Sequence, residues 1–181
     1  MAHVGWRFDL NRCIGCRSCY VACKAENRTP LRTDWRLVIE RQRGTYPEVT
    51  REFVSVACNH CREPACLKAC PVPGAIIKRP TDGVVLIDQD KCIGCRYCLF
   101  ACPYGAPRID TETNKVSKCT LCVHRLDAGL QPACVTACLT EAIEFVPNFL
   151  GETQAAPEGF SNPAMTRPSI RFVLTGERSG V

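Results

Sequence analysis

Residues Lys91 to Pro103 read K-C-I-G-C-R-Y-C-L-F-A-C-P, and this stretch restricts the chain more than any other. Cys92, Cys95, Cys98 and Cys102 are spaced C-x2-C-x2-C-x3-C, with Pro103 immediately after. Thiolates at that spacing, closed by a proline, are the ligand run of a bacterial-type [4Fe–4S] site. Three closely spaced sulfurs wrap three corners of a cubane. The fourth, one helical turn beyond Cys98, points to a different cluster. One such run therefore calls for a second.

Three further cysteine groups are present. Cys13, Cys16, Cys19 and Cys23 repeat the same spacing, and Cys13-Ile14-Gly15-Cys16 repeats Cys92-Ile93-Gly94-Cys95. Glycine at that place allows positive φ and lets backbone N–H groups approach the cluster sulfides. Cys58, Cys61, Cys66 and Cys70 are spaced C-x2-C-x4-C-x3-C before Pro71. His60 lies inside this group, but four cysteines already supply a full set, so it reads as a supporting or surface residue. Cys119, Cys122, Cys134 and Cys138 are spaced C-x2-C-x11-C-x3-C, which alone would suit a four-cysteine zinc site almost as well. Beside three iron–sulfur runs, the iron reading is preferred.

Short elements connect these groups. Trp6 to Leu10 alternates as a half-buried strand does, and Ser18 to about Asn27 suits a helix that Ser18 could cap and that must end before Pro30. Arg36 to Glu40 and Glu52 to Val56 predict two strands joined across residues 44–47, a segment in which the sequence shows no chemistry. Ala75 to Ile77 and Val84 to Ile87 flank Thr81-Asp82-Gly83 as a hairpin, and another turns near Thr113-Asn114. Pro132 opens a last short helix, and Ala142 to Val146 is its returning strand. Cysteines, hairpin, cysteines is the layout of a two-cluster ferredoxin, so the second and third groups form one module. Beyond Pro147 the chain is rich in Gly, Pro, Ala and polar residues. It reads as an extended packing or docking arm, residues 147–181, with one isolated strand at Ser169 to Leu174.

Sixteen cysteines in 181 residues signal either a disulfide scaffold or a metal protein. The N-terminus shows no basic region leading into an apolar run and no twin arginine, and no stretch approaches the ~18–20 apolar residues of a membrane span. These features predict a soluble chain made in a reducing compartment, where clustered cysteines favour metal. The formal charge is +5 with thiols counted neutral. Four [4Fe–4S]2+ cores on sixteen thiolates would carry about −8 and bring the loaded chain to about −3. The basicity then offsets cluster charge and argues against nucleic-acid binding.

With all four groups placed, the chain resembles the four-cluster iron–sulfur subunit of molybdopterin oxidoreductases, the dimethyl sulfoxide reductase electron-transfer subunit being the nearest type. The resemblance spans roughly residues 5–146. It is most specific at Cys58-Asn59-His60-Cys61, at Cys92 to Cys98 with Ala101 to Pro107, and at Ser117-Lys118-Cys119-Thr120-Leu121-Cys122. It implies crossed ligand sets: Cys58, Cys61 and Cys66 with Cys102; Cys92, Cys95 and Cys98 with Cys70; Cys13, Cys16 and Cys19 with Cys138; and Cys119, Cys122 and Cys134 with Cys23. The implied fold is α+β, two bacterial-ferredoxin-like two-cluster modules of short helices and hairpins around a cluster-dominated core. The first and fourth groups make the outer module. A relative carrying Trp at the position of Cys95 would hold a [3Fe–4S] centre; Cys95 implies four [4Fe–4S] clusters.

Four one-electron centres in a row make a wire. The chain has no Walker lysine motif and no G-x-G-x-x-G fingerprint, and its histidines are His3, His60 and His124. The expectation is a non-catalytic electron-transfer subunit with a large pterin-containing catalytic partner and a membrane anchor or a flavin or ferredoxin carrier. It would be cytoplasmic, or exported bound to a signal-bearing partner. The alternatives are a tungsten aldehyde oxidoreductase-type complex, a stand-alone polyferredoxin and a non-redox zinc protein. Arg17, Arg96 and Lys118 adjoin cluster cysteines and could raise a cluster's potential, although each reads first as a surface charge.

Overall fold

A computed structural model describes residues 3–150 and 155–176. It is a mixed α+β fold in which no helix among the described residues is long and apolar enough to cross a membrane. Strand β1 (Gly5–Asp9) buries Trp6 and Phe8, two residues apart and therefore on one face. It leads through the first cysteine loop into helix α1 (Ser18–Asn27). Ser18 does not cap this helix: it is the first helical residue, and Arg17 holds the cap position in a left-handed conformation (φ 61°) without a side-chain bond. Arg28 ends the helix, also left-handed, two residues before Pro30.

Strands β2 (Leu37–Arg43) and β3 (Thr50–Val56) form an antiparallel ribbon. Helix α2 (Ala65–Lys68) follows the second cysteine loop, then the hairpin β4 (Ile76–Lys78) and β5 (Val85–Ile87). Helix α3 (Tyr97–Ala101) follows the third loop, then the hairpin β6 (Arg108–Ile109) and β7 (Val116–Ser117). The fourth group spans helix α4 (Val123–Asp127), which the cysteine spacing did not announce, and helix α5 (Ala133–Thr136). Strand β8 (Ile143–Val146) returns antiparallel to β1, with Trp6 opposite Phe145.

The C-terminal strand β9 (Ile170–Val173) is not isolated, as the sequence suggested. It pairs parallel with β1, Trp6 opposite Ile170, so that β1 is the centre of a three-stranded sheet ordered β8-β1-β9. Its alternating residues needed a distant partner strand that local sequence cannot name. The segment before it is held by an aromatic ladder: Tyr104 stacks on Phe160 at 4.7 Å, Phe160 meets Phe172 at 5.0 Å, and Phe172 meets Phe8 at 6.4 Å. Backbone bonds from Arg62 to Arg167 and from Glu63 to Thr166 bind it over the second cysteine loop. Residues 151–154 and 177–181 of the expected arm lie outside the described residues.

The core is shared between apolar side chains and thiols. Trp6, Phe8, Ile143, Ile170 and Phe172 pack with Cys19, Cys58, Cys119 and Cys134, and a smaller cluster joins Ile76, Val85 and Val116 to Cys66 and Cys98. Helix α1 packs against α5, and α2 against α3.

Candidate metal centres

All four cysteine loops share one backbone device. The residue before the second cysteine has positive φ in each: Gly15 at 71°, His60 at 42°, Gly94 at 71° and Leu121 at 58°. The two exposed loops use glycine, while the two inner loops place fully buried His60 and Leu121 there. Their burial offsets a left-handed conformation that costs a non-glycine residue roughly 1–2 kcal/mol. Gly94 has no such latitude, because a Cβ there would lie 2.6 Å from the Asn114 carbonyl oxygen. Gly94→Ala is therefore expected to lower the thermal midpoint further than Gly105→Ala, whose Cβ would meet nothing within 4 Å at φ 56°. Thermal unfolding of the two variants compares clash with conformational strain alone.

Each short helix carries the third cysteine of its group, and the fourth stands a turn later. Cys66 lies in α2 with Cys70 beyond it, Cys98 in α3 with Cys102 beyond it, and Cys134 in α5 with Cys138 beyond it; Cys19 and Cys23 both lie in the longer α1. Cys102 leaves the helix in an extended conformation ahead of Pro103.

Two cavities gather thiols across group boundaries. One is lined by Cys58, Cys61, Cys66 and Cys102, with Pro64, Val85, Tyr104 and Lys118. The other is lined by Cys70, Cys92, Cys95 and Cys98, with Ile76, Ile87 and Val116. In each, three cysteines come from one motif and the fourth from the other. The electrostatics agree. Burial pushes the Cys61 thiol up to about 12, with Cys58 and Cys102 adding to it, and pushes Cys66 up to about 12, with the same two neighbours. Burial raises Cys98 to about 11, helped by Cys92, Cys95 and Cys70.

The remaining eight thiols also neighbour one another across group boundaries. Burial raises Cys13, and its neighbours Cys19, Cys138 and Cys16 add to the effect. Burial pushes Cys23 up to about 12 with contributions from Cys134, Cys122 and Cys19, while Arg36 opposes. Cys119 is held well above its ordinary value by burial, then by Cys23, Cys58 and Cys134.

All sixteen cysteines are free thiols, and only Cys16 and Cys95 are exposed. Among the described residues, no three His, Cys, Asp or Glu side chains converge as tightly as a single ion requires. Soft sulfurs standing around an apolar cavity, and made hard to ionise by burial, fit a larger positively charged inorganic group such as [4Fe–4S].

Several polar groups serve these sulfurs. The Thr166 hydroxyl, from the C-terminal segment, reaches Cys61 and also bonds the Tyr104 hydroxyl at 2.9 Å. Backbone N–H groups of Ala106, Tyr104 and Gly105 lie close to Cys102 and favour its thiolate, although burial still raises it. His60 is not a surface residue: its Nδ1 accepts from the Val85 N–H at 3.1 Å, and burial holds it well below its ordinary pKa, neutral. Arg17 and Arg96 are exposed as expected, but Lys118 is not. It is 3% exposed, donates to the Val85 and Cys119 carbonyls and faces the cavity of Cys66. Its hairpin β6–β7 turns it inward, which its neighbours in sequence do not reveal.

The chain is similar in sequence to known proteins. The family described as a 4Fe-4S dicluster domain matches residues 49–148. The B subunit of tetrathionate reductase from Salmonella typhimurium is 47% identical over 134 residues, covering 72% of this chain and 52% of that protein, so the chain spans about half the length of this relative. YnfG of Escherichia coli, a probable anaerobic dimethyl sulfoxide reductase component, is 42% identical over 151 residues, covering 79% and 73%. An anaerobic dimethyl sulfoxide reductase component of the same kind from Haemophilus influenzae is 38% identical over 201 aligned residues, covering 99% of this chain and 96% of its own.

Proposed function

This protein belongs to the 4Fe-4S dicluster family, among the iron–sulfur electron-transfer subunits of dimethyl sulfoxide reductase-type molybdoenzymes, and from that premise we propose that it relays single electrons through four [4Fe–4S] clusters. The count rests on sixteen cysteines in four groups of four, and the crossing of ligands supports the wiring: each of two cavities takes three thiols from one motif and one from another. We assign Cys58, Cys61, Cys66 and Cys102 to one cluster; Cys92, Cys95, Cys98 and Cys70 to the second; Cys13, Cys16, Cys19 and Cys138 to the third; and Cys119, Cys122, Cys134 and Cys23 to the fourth. The proposal makes residues 5–146 two ferredoxin-like modules, with 147–181 as an arm. The packing of α2 on α3 and of α1 on α5 supports that pairing.

When bound, each cluster supplies a one-electron couple whose potential follows charge, hydrogen bonds to sulfur and exposure. The chain's own residues set those terms. Thr166 and the N–H groups after Pro103 favour the thiolate form of their sulfurs, and Tyr104, stacked on Phe160, lines one side of the Cys58 cavity. Cys119 neighbours both Cys23 and Cys58, and Cys23 neighbours Cys19, so the groups line up with the Cys13 and Cys92 sets at the two ends. Those end sets own the exposed thiols, Cys16 and Cys95. Exposed Ile14 and Val21 adjoin one, and exposed Ile93, Tyr97 and Phe100 adjoin the other. Apolar side chains around an exposed end suit docking of a redox partner.

In this reading the chain does no substrate chemistry. Electrons pass between a large pterin-containing catalytic subunit at one end and a membrane anchor or soluble carrier at the other. Anoxic affinity purification tests it: a large pterin subunit should co-purify. Its metal, molybdenum or tungsten, separates the two kinds of complex, and recovery as a lone, fully loaded monomer would favour a diffusible polyferredoxin.

A further inference from the structure

The segment leading into β2 crosses the β6–β7 hairpin and is tied to it at three successive residues. Thr33 Oγ1 donates to the Ile109 carbonyl (3.2 Å), Arg108 Nε donates to the Asp34 carbonyl (3.1 Å), and Trp35 Nε1 donates to Ser117 Oγ (2.9 Å). The next residue, Arg36, is turned inward and is 4% exposed. Its guanidinium lies over the Trp6 ring, 4.9 Å from the centroid, and Nη1 donates to Ser55 Oγ at 2.9 Å. Ser55 Oγ in turn sits 3.5 Å from Cys19 Sγ.

The other guanidinium nitrogens, Nε and Nη2, are buried with no oxygen acceptor, and the Cys134 thiol is within hydrogen-bonding reach of the guanidinium. No carboxylate among the described residues pairs with Arg36; the groups acting on it are Cys134, Cys119, Cys19 and Cys23. A buried guanidinium without an anion is strongly unfavourable, and neutral thiols do not compensate it. Thiolates do. These four belong to the two ligand sets assigned above to the first and fourth cysteine groups.

We propose that Arg36 is the shared counter-cation of those two clusters and raises the reduction potential of both. The inference rests on the four-cluster reading. A fixed cation favours the state that carries the extra electron, and burial keeps salt from screening it. The thiols acting on Arg36 all belong to the first and fourth groups, whereas Lys118 is the cation beside Cys66, so the effect of Arg36 should be largest on its own pair.

Redox titration of the anoxically purified complex, followed by electron paramagnetic resonance, tests this with Arg36→Gln and Arg36→Lys. In Arg36→Gln, two clusters shift negative by at least a tenfold change in reduced-to-oxidised ratio at fixed poise, about 59 mV for a one-electron couple. The other two stay in place, and Arg36→Lys recovers most of the shift. Unmoved potentials at full iron content would overturn the proposal, as would four clusters shifting alike or Arg36→Lys shifting as far as Arg36→Gln. If Arg36→Gln loses iron, recovery of iron in Arg36→Lys supports a role of charge, and equal loss in both variants overturns it. A wild-type chain without iron and sulfide would instead sink the cluster reading itself, whatever the variants did.

Discussion

Cys102→Ser is expected to damage the cluster of Cys58, Cys61 and Cys66 and to spare the one its own motif surrounds. Cys102 lines the first cavity, not the cavity of Cys92, Cys95 and Cys98. Its sulfur is wrapped by the N–H groups of Ala106, Tyr104 and Gly105, so the turn after Pro103 is already built to hold a thiolate there. A shorter, harder oxygen in that place weakens one corner of the cubane. The iron content should fall by about one to four atoms per chain, with the spectroscopic change confined to one cluster. Cys70→Ser is the reciprocal case, and its damage should appear at the cluster of Cys92. If Cys102→Ser altered only the cluster of Cys92, the crossed wiring would be wrong.

Removing the clusters is expected to unfold the chain. Cys19, Cys23, Cys58, Cys66, Cys98, Cys119, Cys122 and Cys134 are all buried, so the inorganic groups would occupy the centre of the core. The helices beside the cysteine loops add little support of their own. Helices α2, α3, α4 and α5 are four or five residues long, far below the ~12–15 residues at which an isolated helix becomes marginal. Binding energy at such sites is folding energy. Chelation under anoxic conditions should therefore abolish the cooperative thermal transition, with far-UV circular dichroism falling as iron leaves. A chelated chain that kept a cooperative transition near that of the loaded one would contradict this.

The sequence made the cysteine groups legible and left their surroundings hidden. Cysteine spacing is local, so Lys91 to Pro103 announced a site and the repeat at Cys13 announced a second. The hairpins were legible for the same reason, since Thr81-Asp82-Gly83 and Asn114 are local turn chemistry. What escaped depends on distant packing. Arg36 lies just ahead of β2 in a segment where the sequence shows no chemistry, and the ties of Thr33, Asp34 and Trp35 to β6–β7, with its own stacking on Trp6, turn it toward the thiols. Lys118 looked like a surface charge because nothing in its neighbours marks β7 as buried. Leu121 and His60 occupy positive-φ places that two other loops give to glycine, a substitution that burial makes tolerable and that spacing cannot foresee.

The account stands most directly on an elemental count. Iron and acid-labile sulfide, measured on the anoxically purified full chain, should each come to about sixteen per chain, four cubanes of four, with zinc below one. A value near eight would leave one pair of groups without clusters. Iron well below that, with zinc in the cysteine sites, would contradict the electron relay altogether.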